Sequence, residues 1–278
     1  MKNIVILYHA ECSDGFGGAW SAWKKFKNKA DYIGVKHGTA PPEGLKDKEI
    51  YFIDFIYPEE TTKELIKNNK RVVAIDHHIS AKKLVEMTQD YSYAIDHSGS
   101  VLAWRYFNPK RPIPRMLKYI EDMDLWKFKI PYTMEILAWL NLSDFNFKIW
   151  DKLSGVLEKA AGRKRVIRQG KMVVGYEDKI IDKLILGAEE VEFAGYETSA
   201  VNSPIFSSQI GMKLTKIKPP IGIIWYQRNG KKVFSLRSNG KADVSVIAAR
   251  FGGGGHKTAS GFALDADQSF PWKAIRKH

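Results

Sequence analysis

The sequence predicts an α/β protein, a doubly wound and mostly parallel sheet domain followed by a smaller α+β domain. Three observations lead there. The first half alternates short apolar runs with amphipathic stretches, the pattern of strands joined by helical crossovers. Residues 131–190 carry helical spacings such as Ile136, Leu137 and Leu140. Beyond residue 187 the texture changes to strand-like runs around Asn229-Gly230, a strong hairpin signal.

In chain order, "NIVILYH" (residues 3–9) is a short apolar run and reads as a buried strand, and "GGAWSAWKKFKN" (17–28) as the helix after it. "DYIGVKHG" (31–38) and "EIYFIDF" (49–55) read as further strands, separated by the turn-rich "TAPPEGLKDK". "PEETTKELIKNN" (58–69) opens with Pro58 and two glutamates, residues that suit a helix start. "RVVAIDHH" (71–78) is a strand, "SAKKLVEMTQ" (80–89) a helix and "YSYAID" (91–96) a strand. "SGSVLAWRYF" (98–107) and "IPRMLKYIEDMDLW" (113–126) read as helices. A helix closing at Gly187 ends the first domain, so the domains are 1–187 and 188–278. In the second, Asp243 is the expected N-cap of a short helix in "ADVSVIAARF", with "GGGGH" (252–256) directly behind it.

The composition, 44% hydrophobic and 27% charged, is that of a globular protein with an ample core. No run of about 18 apolar residues suggests a membrane span, and "MKNIVILYH" is too short in its apolar part for a signal peptide. The one cysteine can form no internal disulfide, so a cytoplasmic protein is expected. The net charge is +13, with basic clusters at 24–29 and 162–171. Such a surface suits a polyanion, nucleic acid above all, or simply serves solubility.

Three predicted strands end in ionisable residues: His9 with Asp14 beyond it, Asp54, and Asp76 with His77 and His78. Ligands of an open parallel sheet bind beyond the carboxyl ends of its strands, so these side chains should converge in one crevice. One such Asp is ordinarily a turn former and one such His structural, but the set together is how divalent metals are held. Two metals a few ångströms apart suit phosphoester hydrolysis.

These residues also carry a resemblance. "AIDHH" (74–78) resembles the signature of the DHH phosphoesterase superfamily, "FID" ending at Asp54 its preceding aspartate motif, and "YIEDMDLW" (119–126) its later acidic motif. "SLRSNGKADVSVIAARFGGGGHKTASGF" (235–262) resembles the DHH-associated C-terminal domain. The motifs span both halves in the right order; residues 130–190 carry none. The superfamily includes RecJ-like exonucleases, nanoRNases that degrade short oligonucleotides, cyclic-dinucleotide and pAp phosphodiesterases, and class II pyrophosphatases.

The resemblance implies roles. Asp54 matches the carboxylate bridging two manganese ions, and His9 a ligand of one ion. Asp14, His77 and Asp122 match ligands of the other, with Asp124 as the alternative to Asp122 or as a cap of the next segment. Asp76 matches a group that orients a neighbouring histidine, and His78 one that faces the substrate phosphate. Arg237, Gly253, Gly254, Gly255 and His256 match a substrate-binding set facing the metals across the cleft between the domains. The residue types fit: glycines let backbone N–H groups approach an anion, and arginine grips phosphate in bidentate fashion. In isolation, the glycines read as a helix C-cap and flexible loop. Ser238 and Asn202 either line that cleft or form turns. Ser98 or Ser100 reads as a helix N-cap, with His97 alternatively at the site's rim. Trp20, Trp23 and Trp104 read as core.

The departure is Cys12, where most members have the first aspartate of a D-x-D pair whose second is Asp14. Cys12 is a candidate ligand of the first ion; alternatively it is a small filler beside His9 and Asp54, or Glu11 turns in instead. A nucleophilic cysteine would need a paired base and a lowered pKa.

The implied function is a metal-dependent phosphodiesterase acting on short single-stranded oligonucleotides or dinucleotides, with metal-activated hydroxide attacking phosphorus. The alternatives are a phosphohydrolase acting on pAp, pyrophosphate or polyphosphate, and a non-catalytic nucleotide- or single-strand-binding protein on a degenerate DHH scaffold. Manganese is the expected ion, as a pair; magnesium or another divalent ion also fits. A homodimer is compatible with the sequence.

Overall fold

Alternation of buried residues along the first strands decides how the amino-terminal half is layered. In a computed structural model describing residues 1–36 and 38–275, β1 (Ile4–His9), β2 (Ala30–Val35), β3 (Glu49–Ile53), β4 (Arg71–Asp76) and β5 (Asp90–Tyr93) form one sheet. The order is β2-β1-β3-β4-β5, with every pairing parallel. His37, at the end of one predicted strand, lies outside the described residues. Val5 and Leu7 join Phe52 and Ala74 in one core cluster. Ile6, Ile53, Val73 and Ile75 join another. Each face of the pleat therefore has its own core.

Helices α1 (Ser13–Phe26) and α4 (Gly99–Phe107) cover the Ile6 face. Leu65 of α2 (Glu59–Asn68) and Val85 of the one-turn α3 (Lys82–Val85) cover the other. The sheet is thus doubly wound. The predicted helix over 80–89 shrinks to that single turn preceded by a 3₁₀ turn, Ile79–Ala81. Helix α1 starts at Ser13, four residues before the predicted start at Gly17, and so takes in Gly15 as well. A Cβ on Gly15 would stand 2.3 Å from the His9 carbonyl oxygen, and one on Gly18 2.3 Å from Ile53 Cγ2. Glycine here lets the helix lie directly on the strand ends.

Helices α5 (Arg115–Asp124), α6 (Thr133–Leu140), α7 (Phe147–Glu158) and α8 (Ala160–Ile185) follow. Their apolar faces pack with Phe16, Trp20 and Trp104 around the buried Trp150. Trp20 and Trp104 are stacked at 5.4 Å, and Trp23 stacks on Phe147 at 5.7 Å, so all three tryptophans pack among other rings. No helix of the described residues is long and apolar enough to cross a membrane.

The chain divides into two compact units, Met1–Val174 and Gly175–His278, so the division falls within α8 rather than after it at residue 187. The second unit contains β6 (Glu189–Phe193), β7 (Tyr196–Asn202), α9 (Ser207–Ile217), β8 (Ile221–Arg228) and β9 (Lys231–Ser238). It continues with α10 (Val244–Ala249), β10 (Gly254–His256), β11 (Ala259–Asp265) and β12 (Lys273–Ala274). Its mixed sheet runs β10-β11-β9-β8-β7-β6-β12. The β8–β9 hairpin turns on Asn229 and Gly230, with φ of 50° and 71°, the backbone a two-residue primed turn requires. Asp243 caps α10 by accepting from the backbone N–H groups of Ser245 and Val246.

Candidate metal centre

Strand register sets the site. Tyr8 pairs with Ile53 and Ile53 with Ile75, so His9, Asp54 and Asp76 follow at one level on the carboxyl edge of β1, β3 and β4. In the order β2-β1-β3-β4-β5 the connections reverse direction between β1 and β3. That is the point where open sheets of this order bind ligands.

Asp54 sits at the centre. It is buried, and its backbone turns out of the strand with φ of 62° while its N–H still bonds the Ile75 carbonyl at 2.9 Å. Its two oxygens look in different directions: Oδ2 lies 3.3 Å from His9 Nδ1, and Oδ1 lies 3.3 Å from His77 Nε2. Two groups of donor atoms flank it. His9, Cys12 and Asp54 form one, and Asp14, His77 and Asp124 form the other, each with its donor atoms within 4.8 Å of one another. His77 Nε2 is 3.8 Å from Asp14 Oδ2 and 3.5 Å from Asp124 Oδ2.

The N-terminus of α4 fixes Asp14. Gly99 N–H donates to its Oδ2 at 2.6 Å and Ser100 N–H to its Oδ1 at 3.0 Å, so a carboxylate occupies the positive end of a helix. Gly99 is required there, because a Cβ would stand 2.9 Å from both Asp14 Oδ2 and Asp54 Cβ. Ser98 is the N-cap, accepting from Val101 N–H at 3.4 Å. Glu121 Oε2 holds the entrance to the helix, 3.0 Å from both Ser98 N and His97 Nδ1. Glu121 carries no sequence signal beyond its place in the acidic motif.

Asp76 works through a histidine. Its Oδ1 accepts from the backbone N–H groups of His77 and His78 and lies 2.7 Å from His78 Nδ1, which orients that ring.

Asp122, the expected ligand, is engaged elsewhere. Its carboxylate accepts from Lys129 N–H at 2.8 Å, Ile130 N–H at 3.1 Å and the Thr133 hydroxyl at 2.6 Å, which organises the turn between α5 and α6. The aspartate that reaches His77 is Asp124. Two residues along a helix differ by about 200° around its axis, so only one carboxylate of "DMD" can face the crevice. Glu11, one of the alternatives at the Cys12 position, pairs with Lys36 at 2.5 Å on the exposed side of the loop.

The electrostatics fit a cation. Burial, and then the charge of Asp54, pushes the Asp14 carboxyl up to about 6. Asp124 sits at the exposed rim of the site, and partial desolvation, and then the charge of Asp14, holds it above the usual carboxylate range. Asp54 runs the other way: burial alone would raise it, but hydrogen bonds from His77 and His9 hold it well below. Burial opposes the charge of His77, yet the Asp54 hydrogen bond and the surrounding carboxylates push it up to about 10. The fold thus crowds three carboxylates against their mutual repulsion, which divalent ions among them would relieve. Carboxylate oxygens together with imidazole nitrogens are a donor set for a divalent cation. Burial, followed by the charges of Asp54 and Asp14, pushes the Cys12 thiol well above its usual value. That is the opposite of an activated nucleophile.

In the second unit, Ala259 pairs with both Arg237 and His256, so these residues share one row across β9, β11 and β10. The Arg237 guanidinium is half-buried, with Nη2 on Ser208 Oγ at 2.9 Å and Nη1 on its neighbour's carbonyl. Burial lowers its pKa to about 10. Gly254 to His256 form a short strand rather than a flexible loop. A Cβ on Gly253 would stand 2.1 Å from Gly261 O, and one on Gly255 2.6 Å from Ala259 O, whereas Gly254 faces open space. Ser238 is a turn former, its hydroxyl bonded to Ala242 O at 2.7 Å, and Asn202 bonds the Trp225 carbonyl.

A parallel sheet with an Asp/His cluster at its switch point is a scaffold that can hold divalent ions. Comparison with known proteins identifies its family. A DHHA1 domain model matches residues 192–271. The chain is 32% identical over 288 residues to the uncharacterized protein R106 of Acanthamoeba polyphaga mimivirus, covering 94% of this chain and 67% of that protein. It is 25% identical over 224 residues to the oligoribonuclease NrnB of Bacillus subtilis, covering 74% of this chain but only 56% of that protein. Among solved structures, the DHH domain of a member of a ribosomal-protein family superposes with a TM-score of 0.65 at 14% identity, covering 94% and 82% of the two chains. An exopolyphosphatase-related protein from Bacteroides fragilis gives 0.57 at 14% identity, covering 97% and 88%. The chain belongs to the DHH superfamily of phosphoesterases.

Proposed function

We propose that this protein is a divalent-metal-dependent phosphodiesterase, with manganese as its ion, that hydrolyses short single-stranded oligonucleotides or dinucleotides. The observation that carries this reading is Asp54, whose two oxygens each face a separate group of donor atoms. His9, with Cys12 beside it, would hold one ion and Asp14, His77 and Asp124 the other, with Asp54 shared. Two divalent ions, when bound, polarise a phosphoryl oxygen and make water nucleophilic at neutral pH. The protein's own groups do the positioning. The α4 N-terminus aims Asp14, and Asp76 orients His78 toward the phosphate.

Arg237, His256 and the backbone at Gly254 would bind the substrate's phosphate. A half-buried guanidinium binds phosphate more strongly than a fully exposed one. The net charge of +13 favours an oligonucleotide over a small anion. The oligoribonuclease relative, 25% identical, supports the same substrate class. The single cysteine, kept as a neutral thiol, suits a cytoplasmic location.

The test compares turnover of labelled two- to five-nucleotide RNAs, pAp and pyrophosphate by the manganese-loaded protein and by Asp54→Asn. The reading expects the short RNAs to be turned over fastest and Asp54→Asn to be inactive. Faster turnover of pyrophosphate contradicts it.

A further inference from the structure

The basic run at 162–171 lies away from the Asp/His cluster in sequence, and the metal site makes no use of it. From Ala160 to Tyr176 helix α8 has no acidic residue. Arg163, Lys164, Ile167, Arg168 and Lys171 recur at helical spacing and so form one stripe. Together with Tyr132 they line a groove of about 470 Å³. Lys164, Arg168 and Lys171 are exposed. Arg163 instead caps the end of α7 through the carbonyls of Leu157 and Glu158, both at 2.8 Å.

Tyr132 completes the groove. It is 46% exposed, and Lys171 Nζ stands 5.2 Å from its ring centroid. Its backbone is left-handed, with φ of 67°, a conformation unfavourable for a non-glycine residue and often retained where a side chain serves a ligand. The Ile136 N–H, bonded to the Tyr132 carbonyl at 3.0 Å, anchors it to α6.

We propose that this groove is an accessory binding site for single-stranded nucleic acid, in which Arg168, Lys171 and Lys164 contact successive phosphates and Tyr132 stacks a base. A stripe of cations beside an exposed ring is the combination that binds single strands without reading sequence. The stripe runs for about 12 Å of helix, enough to hold a strand longer than a dinucleotide. The site would retain longer oligonucleotides and would not affect the smallest substrates. It does not depend on the reaction assigned above.

The test measures binding of a labelled twelve-nucleotide single strand across a salt series, in EDTA and in an Asp54→Asn background so that the strand stays intact. The double variant Arg168→Ala/Lys171→Ala should lower the slope of log affinity against log salt by about 1.4, since each phosphate contact contributes about 0.7. Tyr132→Ala should weaken binding about five-fold or more. Melting temperatures should not change, and in a wild-type background neither should dinucleotide turnover. Unchanged affinity and salt slope in the double variant overturn the proposal. So does inorganic polyphosphate displacing the strand at equal phosphate concentration with Tyr132→Ala having no effect, because the surface would then be a general anion patch. The binding readout stands even if no substrate is turned over, so failure of the enzymatic reading is told apart from failure of this one.

Discussion

Asp122 and Asp124 are two residues apart in one motif, and the structure gives them opposite duties. Asp122→Ala removes the acceptor for two backbone N–H groups, those of Lys129 and Ile130, while the Thr133 hydroxyl keeps the Ile130 carbonyl. An orphaned donor costs about 1–3 kcal/mol. Partial access of water to this turn puts the total at about 2–4 kcal/mol. At about 2–4 °C per kcal/mol for a domain of this size, the melting temperature should fall by roughly 5–15 °C. Asp124→Asn should do the reverse. It removes a carboxylate whose ionisation the fold opposes, so the metal-free protein should melt no lower. It also removes a donor to the Asp14–His77 group, so manganese affinity and turnover should each fall about 100-fold or more; groups one shell further out already cost about 10–100-fold. The assay is thermal melting in EDTA beside a manganese titration of both variants. The reasoning is refuted if Asp122→Ala melts normally but loses metal, while Asp124→Asn melts low and keeps it.

Three further outcomes follow from the same geometry. Asp14 has a folded pKa of about 6 against an ordinary 3.8, so its protonated form contributes stability fully present below 3.8 and lost as pH rises through 6. Metal-free protein should therefore lose stability between about pH 4 and 6, Asp14→Asn should remove that part of the slope in denaturant melts, and manganese affinity should rise over the same window. Gly253→Ala places a Cβ 2.1 Å from Gly261 O and should destabilise the second unit by about 1–3 kcal/mol. Gly254→Ala meets open space, so its melting temperature should hold, and a raised KM for oligonucleotides would report a phosphate lying on that backbone. Cys12→Asp should tighten manganese binding in isothermal titration, by adding an oxygen donor beside His9 and Asp54; abolished activity would give the thiol a different role.

Much of the first unit is legible because a buried parallel sheet writes its strands as apolar runs. Strand-end polar residues then mark the carboxyl edge, so His9, Asp54, Asp76 and His77 can be placed from the chain's pattern alone. Three things are less legible. A short helical spacing cannot fix rotation about the axis, so Asp122 and Asp124 exchange roles. The first turn of α1 is hidden, since Cys12 to Phe16 carry no helical pattern, yet close contact of Gly15 with the end of β1 keeps that turn helical. The carboxylate-binding N–H groups of Gly99 and Ser100 leave no side-chain pattern, since backbone donors depend only on where a helix begins.

The central claim is a pair of divalent ions held on either side of Asp54. Anomalous scattering at the manganese edge from manganese-soaked crystals tests it directly. Two peaks are expected, one beside His9 and one among Asp14, His77 and Asp124, with an oxygen of Asp54 on each. A single peak that leaves Asp54 terminal, or any peak coordinated by Asp122, would contradict the account.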